Sequence, residues 1–304
     1  MIKKLSKKHH IFKFSKDNQP VLSIKNGDMV EIETMDCFSN QIKKADDVLD
    51  AMDWDRVNPA TGPIYIEEAK AGDVLKVTIE KIDIADRGTI ATGKDLGVLG
   101  DRLDGLNCKV VKIQDDHVLF DDILKIPLNK MVGVIGVAPK GEGINCGTPD
   151  RHGGNMDNKM VSENSTIYFP IQIDGALFAL GDIHAAMGDG EIGVSGVEVA
   201  GKVTVKFEVL KEFSLNNPLL ENENSISTIA SKESLDDAVK EAVSEMEKFL
   251  STRIKLETPD MSMLFSVVGN VEVCQVVDPL KTARFVMPKW VLEKYGFDLL
   301  KEDV

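Results

Sequence analysis

The run Gly181-Asp182-Ile183-His184-Ala185-Ala186-Met187-Gly188-Asp189-Gly190-Glu191 puts one imidazole and three carboxylates into eleven residues. On an extended chain, residues two apart point the same way. Asp182 and His184 therefore share a face, and Asp189 and Glu191 repeat the spacing across Gly190. An imidazole among carboxylates is the donor set of a hydrolytic zinc site. Such a site keeps one position for water, which titrates near about 7 on the metal. The competing reading is a Gly-Asp-Gly turn with solvated acids, and spacing alone does not choose between them.

A second group is His152-Gly153-Gly154-Asn155-Met156-Asp157. Its glycines let backbone approach a ligand. Asn155 has the hydrogen-bonding groups for an amide, and Asp157 could bind a metal. A plain glycine turn with Asn and Asp as turn formers explains the same residues. Asp36 follows Val30, Ile32 and Thr34 at a period of two, which places it at the inner end of a strand. There a carboxylate needs a partner or a metal. Glu142, between two glycines, reads as a loop-tip charge or a mobile base, and Cys146 as an inert thiol or a nucleophile. His9, His10 and His117 read as surface, interface or turn residues.

The elements that must position these groups are mostly strands. Alternating or short apolar runs predict strands at 9–12, 21–24, 29–36, 72–79, 110–113, 117–120, 124–128, 132–139, 166–171 and 200–209. Asn26-Gly27-Asp28 is a turn, Pro59 to Pro63 reads as a loop, 86–108 as irregular, and 139–164 as the longest loop. A short helix is expected around Ala45–Asp50. The pattern changes after about 220. Leu235, Ala238, Val239, Ala242, Val243, Met246, Phe249 and Leu250 form a helical stripe between Ser231 and Arg253. A second helix starts at Pro259-Asp260, with Gly269 as its stop. A strand follows at 271–277, and a third helix begins at Pro288 and ends at Gly296. This predicts a mainly β core, residues 1–220, with a C-terminal α/β subdomain, 221–304, packed on it as one unit.

The formal charge of −14 argues against nucleic acid or an anionic membrane as partner. No apolar run approaches a membrane span, and no apolar segment follows the basic N-terminus as a signal peptide would require. The four cysteines, Cys37, Cys108, Cys146 and Cys274, form no C-x-x-C pair. Reduced thiols and a cytoplasmic location are expected.

Taken together, the motifs resemble the acetamidase/formamidase family. The resemblance rests on Glu33-Thr34-Met35-Asp36-Cys37, Asn58 to Gly62, Gly133 to Pro139, Gly153-Gly154-Asn155-Met156-Asp157, Tyr168 to Ile171 and Gly181 to Glu191, in the family's order over roughly residues 9–210. It implies a β-sandwich of jelly-roll type with added α/β elements. The implied activity is hydrolysis of short carboxamides such as formamide or acetamide to carboxylate and ammonia. On that basis a divalent metal, Zn²⁺ or alternatively Ca²⁺, is expected on His184, Asp36 and Asp157. Glu191 or Asp189 is expected as general base, with Glu142 as the alternative. Asn155 and the backbone of Gly153 and Gly154 are expected to bind substrate. A homodimer is the default assembly. Two other classes stay open: a metal-free amidase using Cys146 or a carboxylate, and a non-catalytic Ca²⁺-binding sandwich.

Overall fold

The computed structural model describes residues 2–44 and 52–301. The helix expected around Ala45–Asp50 lies outside the described residues. The fold is mainly β, with strands in a nine-stranded and an eleven-stranded sheet and a small two-stranded one. The main core lies between the two large sheets. Val30, Ile32, Ile79, Val203 and Val205 of the first meet Ile64, Ile135, Phe178, Leu180 and Ile183 of the second, all buried. Alternation made this possible: Met29–Thr34 buries Val30, Ile32 and Thr34 and turns Met29, Glu31 and Glu33 outward. Each fully buried Ile, Val or Phe contributes about 1.5–3 kcal/mol.

One strand centres the site. Met131–Gly136 is buried along its whole length, between Gly153–Asn155 on one side and Phe178–His184 on the other. Phe178–His184 also pairs with Ala60–Ile66 and with Glu198–Val199. A strand enclosed on both faces has no polar side to show, so its sequence is a continuous small apolar run.

The C-terminal part continues the first sheet. Leu219–Glu221, Ser225–Lys232, Lys281–Pro288 and Asn270–Gln275 add to it in that spatial order. Helix α1, Leu235–Ser251, covers them with Ala242, Met246, Phe249 and Leu250 in a second apolar cluster. Its N-cap is Ser234, whose hydroxyl accepts the Asp237 N–H at 3.1 Å. Helix α2 spans Thr258–Val268 and helix α3 Lys289–Glu293. Among the described residues, no helix is long and apolar enough to cross a membrane.

Several segments differ from the sequence reading, among them 139–164, read as a loop, which holds the short strands Ile144–Asn145 and Gly153–Asn155. Pro59 to Pro63 is not a loop, because Ala60–Ile66 is a paired strand. Its register against Phe178–His184 shifts between Phe178 and Leu180, opposite Gly62 and Pro63. A bulge is where a strand tolerates a residue without an N–H. Residues 86–108 contain the strand Arg87–Thr92, paired with Asn107–Gln114. Residues 225–232, left unassigned up to the helical stripe that starts at Ser231, form a strand. Seven of its eight residues are buried, which removes the alternation that would reveal it.

Candidate active site

The acid-rich stretch splits into parts with different environments. Asp182 and His184 lie at the end of Phe178–His184 and point together, as their spacing requires, with His184 Nε2 3.3 Å from Asp182 Oδ1. His184 is directly opposite Glu198 across the ladder, and their side chains meet at 3.1 Å. Asp157, just beyond Gly153–Asn155, brings Oδ1 to 3.9 Å from the same nitrogen. Asp157, His184 and Glu191 form one buried group whose donor atoms converge closely enough to hold a metal ion, and Cys37, Asp182 and Glu198 form another.

Backbone shape helps this convergence. Asp157, Asp182 and Glu191 all sit at positive φ, at 44°, 55° and 47°. Non-glycine residues adopt that region at a cost of order 1–3 kcal/mol each and collect at functional sites. Gly133 is the complementary device. A Cβ there would fall against Asp157 Oδ1 and Asp182 Oδ2, so only glycine leaves room for both carboxylates.

The group is under electrostatic load. Burial raises Asp157 well above the carboxylate range, and the charges of Asp182 and Asp278 add to this. Burial also raises Glu191, with Asp157 as the next cause. Burial raises Glu198 to about 7, with His184 opposing and Asp182 assisting. Burial disfavours a charged His184, but Glu198 and Asp182 outweigh it and hold the imidazole well above its ordinary value. Among the described residues, several buried atoms find no hydrogen-bond partner: both Asp157 oxygens, His184 Nδ1, Glu198 Oε2 and Asn155 Oδ1. Each unsatisfied buried group costs roughly 1–3 kcal/mol, more when charged. A divalent cation would satisfy the anionic ones and lower their pKa values, so the residues fit such an ion.

A cavity of about 120 Å³ opens on these groups. Asn155, Asp182, Glu191, Glu198 and Asp278 make its polar end. Asp278 enters from the C-terminal turn between Asn270–Gln275 and Lys281–Pro288 and accepts a hydrogen bond from Asn155 Nδ2 at 2.9 Å. Buried Gln275 shapes that turn, because its Oε1 accepts the N–H groups of Val277 and Asp278 at 2.9 and 3.0 Å. Burial, then the charge of Glu191, raises Asp278 well above its ordinary value.

The other expected residues lie elsewhere. Asp36 is buried nearby, but its Oδ1 accepts the Asn40 N–H at 2.6 Å, closing a local turn, and it is in neither converging group. Burial raises it to about 6. Asp189 is in neither converging group among the described residues and is clamped by Arg284 through two bonds, at 3.0 and 2.7 Å, with Lys159 at 2.8 Å. Glu142 is exposed on its loop. Gly153 and Gly154 are used for packing: side chains there would strike Ile135 O and Thr148 O respectively. Cys146 is buried beside Phe14, Ala60, Val134 and Ala179, and burial pushes its thiol well up, away from nucleophilic character.

Sequence reading passed over Glu198, Asp278 and Arg284. Glu198 had a signal in principle, since Val197-Glu198-Val199 follows the acid stretch closely enough to pair back on it. Asp278 and Arg284 had none, because their approach depends on where the C-terminal turn docks.

The sequence pattern of the Acetamidase/Formamidase family matches residues 3–144 and 140–236. The structure is similar to that of a predicted acetamidase/formamidase from Thermoanaerobacter tengcongensis, with 57% identity, a TM-score of 0.96, and 98% of this chain and 99% of that one covered. An acetamidase from Bacillus halodurans is similar over 96% of this chain and 99% of its own, at 46% identity and a TM-score of 0.95. A formamidase from Methylophilus methylotrophus is 26% identical over 66% of this chain and 65% of its own length. The chain spans under two thirds of the length of the first curated relatives it matches, 61% and 65%. With the acid-rich stretch, the Gly-Gly-Asn-Met-Asp run and the two-sheet frame all in place, the chain belongs to the acetamidase/formamidase family.

Proposed function

We propose that this protein hydrolyses primary carboxamides to a carboxylate and ammonia at the buried Asp157–His184–Glu191 group, with a divalent cation bound there. The observation that carries the reading is this group itself: converging donors with unpartnered oxygens, beside a cavity that Glu191 lines, in a chain of this family. The names of the Bacillus acetamidase and the Methylophilus formamidase support the choice of amide. One imidazole with two carboxylates suits Zn²⁺ better than Ca²⁺, which prefers six to eight oxygens. When bound, the cation supplies Lewis acidity toward a carbonyl oxygen and acidity to water.

The chain's own groups divide the remaining work. Asn155 Oδ1, buried and unpartnered, is placed to accept an N–H of the amide. Asp278 holds Asn155 by its Nδ2 and so fixes which atom faces the cavity. Glu198 presents an unpartnered Oε2 beside His184 and lines the cavity, which suits it to take a proton from water and return it to the leaving nitrogen. Asp182 meets His184 at the same Nε2 that Asp157 and Glu198 approach, which puts its carboxylate beside the cation position, and Asp189 holds the loop through Arg284. Asp36 shapes the adjoining turn. The buried thiols of Cys37, Cys146 and Cys274 support a cytoplasmic setting, and a homodimer is the commonest assembly for such chains.

The test is ammonia release from formamide and acetamide by purified protein, with metal analysis and a chelator series. Expected are about one or more equivalents of metal per chain and activity that falls on chelation and returns with Zn²⁺. Metal-free protein that releases ammonia at full rate would overturn the cation; protein that releases none after Zn²⁺ loading would overturn the amidase reading.

A further inference from the structure

Beside the Asp157–His184–Glu191 group stands the second converging set, Cys37, Asp182 and Glu198, and the two share no residue. Separate pieces of backbone bring it together. Cys37 lies in the turn that Asp36 closes, and its carbonyl accepts the Asn58 N–H at 2.7 Å. Asp182 comes from Phe178–His184 and Glu198 from Glu198–Val199. All three side chains are buried, and all three line the cavity. Glu198 turns Oε1 to His184 and leaves Oε2 without a hydrogen-bond partner among the described residues.

The charge balance asks for more than one cation. Asp157, Asp182, Glu191 and Glu198 are buried carboxylates, and among the described residues none of them forms an ion pair with a lysine or arginine. A single divalent cation offsets half of their formal charge, and the rest falls to protons or to a second cation. The second set adds a sulfur to two carboxylates, which favours a soft cation such as Zn²⁺ over Mg²⁺ or Ca²⁺. Burial, then the charges of Glu198 and Asp182, hold the Cys37 thiol well above its ordinary value. A cation must displace that proton to bind the sulfur, so this set fills after the first.

We propose that Cys37, Asp182 and Glu198 form a second, inhibitory site for a soft divalent cation. Its effect rests on the amidase reading, in which Glu198 carries the proton between water and the leaving nitrogen. When the site fills, the Cys37 S–H bond breaks, the sulfur keeps the electron pair as a metal-bound thiolate, and the proton goes to solvent. Glu198 becomes a ligand, and its carboxylate is withdrawn from proton transfer.

The test titrates metal-free protein with Co²⁺ and, separately, with Zn²⁺. Bound metal, sulfur-to-cobalt charge-transfer absorption and ammonia release are read at each equivalent. The first equivalent should restore ammonia release without a sulfur band. The second should bring the band and lower turnover about tenfold or more, and Mg²⁺ should not produce that fall. Cys37→Ser should keep the first equivalent and lose both the band and the fall. A single bound equivalent in the native protein, or a second without a sulfur band, would overturn the inference and leave the amidase reading standing. A second equivalent that leaves turnover unchanged would also overturn it. Because the band is read on the native protein, the inference is decided even if the variant fails to fold. Absence of ammonia at every loading would overturn the amidase reading and the inhibition with it, while the metal count and the band would still decide the site.

Discussion

Two walls meet at the cavity, and they are built on different terms. The sandwich wall carries Asp157, Asp182, His184, Glu191 and Glu198 on or beside strands enclosed in a continuous core. The C-terminal wall carries Asp278 on a turn, anchored by Gln275 and by Arg284. Arg284 is fully buried and reaches Asp189, Glu272 and Asn158 at once. The Gly188 to Glu191 loop meets this wall through backbone as well, with Gly190 N–H donating to Cys274 O at 2.9 Å. The sandwich wall concentrates the charge that could hold a cation. The C-terminal wall fixes where the loop and the Asn155 amide point. The first should therefore govern whether the site works at all, and the second how well it is shaped.

The comparison breaks most sharply at His184. His184→Ala should abolish tight metal binding and lower amidase activity by more than the ~10–100-fold seen when only outer-shell partners are lost. Full activity with no metal would place the chemistry elsewhere. Gly133→Ala comes next, since the new methyl would sit against Asp157 and Asp182. Overpacking of about 1–3 kcal/mol and a clear fall in metal occupancy are expected, read by thermal melting and metal analysis. Unchanged occupancy would mean the two carboxylates do not need to converge.

Arg284→Leu probes the other wall. Breaking a buried pair costs ~3–5 kcal/mol, and about 2–3 is expected here because Asp189 and Glu272 are partly exposed and can be resolvated. Metal content should persist while activity drops, and Arg284→Lys should rescue little because a lysine cannot span the same three partners. Loss of metal equal to that in His184→Ala would erase the distinction between the walls. A smaller effect is expected from Asp278→Asn, which keeps shape but allows Asn155 to flip: roughly tenfold in kcat/KM, with the melting temperature held. Glu142→Gln closes the series, with no change in activity and stability within about ±0.5 kcal/mol, as for an exposed loop charge.

The same division describes what could be read from residues alone. The core frame was legible because alternation records burial on one face, as in Met29–Thr34 and Gly201–Leu210. It failed at Ser225–Lys232, where both faces are buried, and at Ala60–Ile66, where a bulge accepts a proline. Local spacing made the Asp182–His184 pair visible, since two residues on one strand carry their own geometry. It could not separate Asp189 from Glu191, which share that spacing and differ only in whether Arg284 or the Asp157–His184 pair lies opposite.

By itself, then, the sequence determined that a strand-borne imidazole and several carboxylates would lie close together on a β scaffold, because those relations are set within a few residues of chain. Tertiary structure decided which acids they were. Glu198 arrives across a ladder, Asp157 from beyond Gly153–Asn155, and Asp278 from a turn about 90 residues further on than His184. Burial then decided their charge, since a carboxylate's preference for ionisation depends on the water and partners that packing removes or supplies.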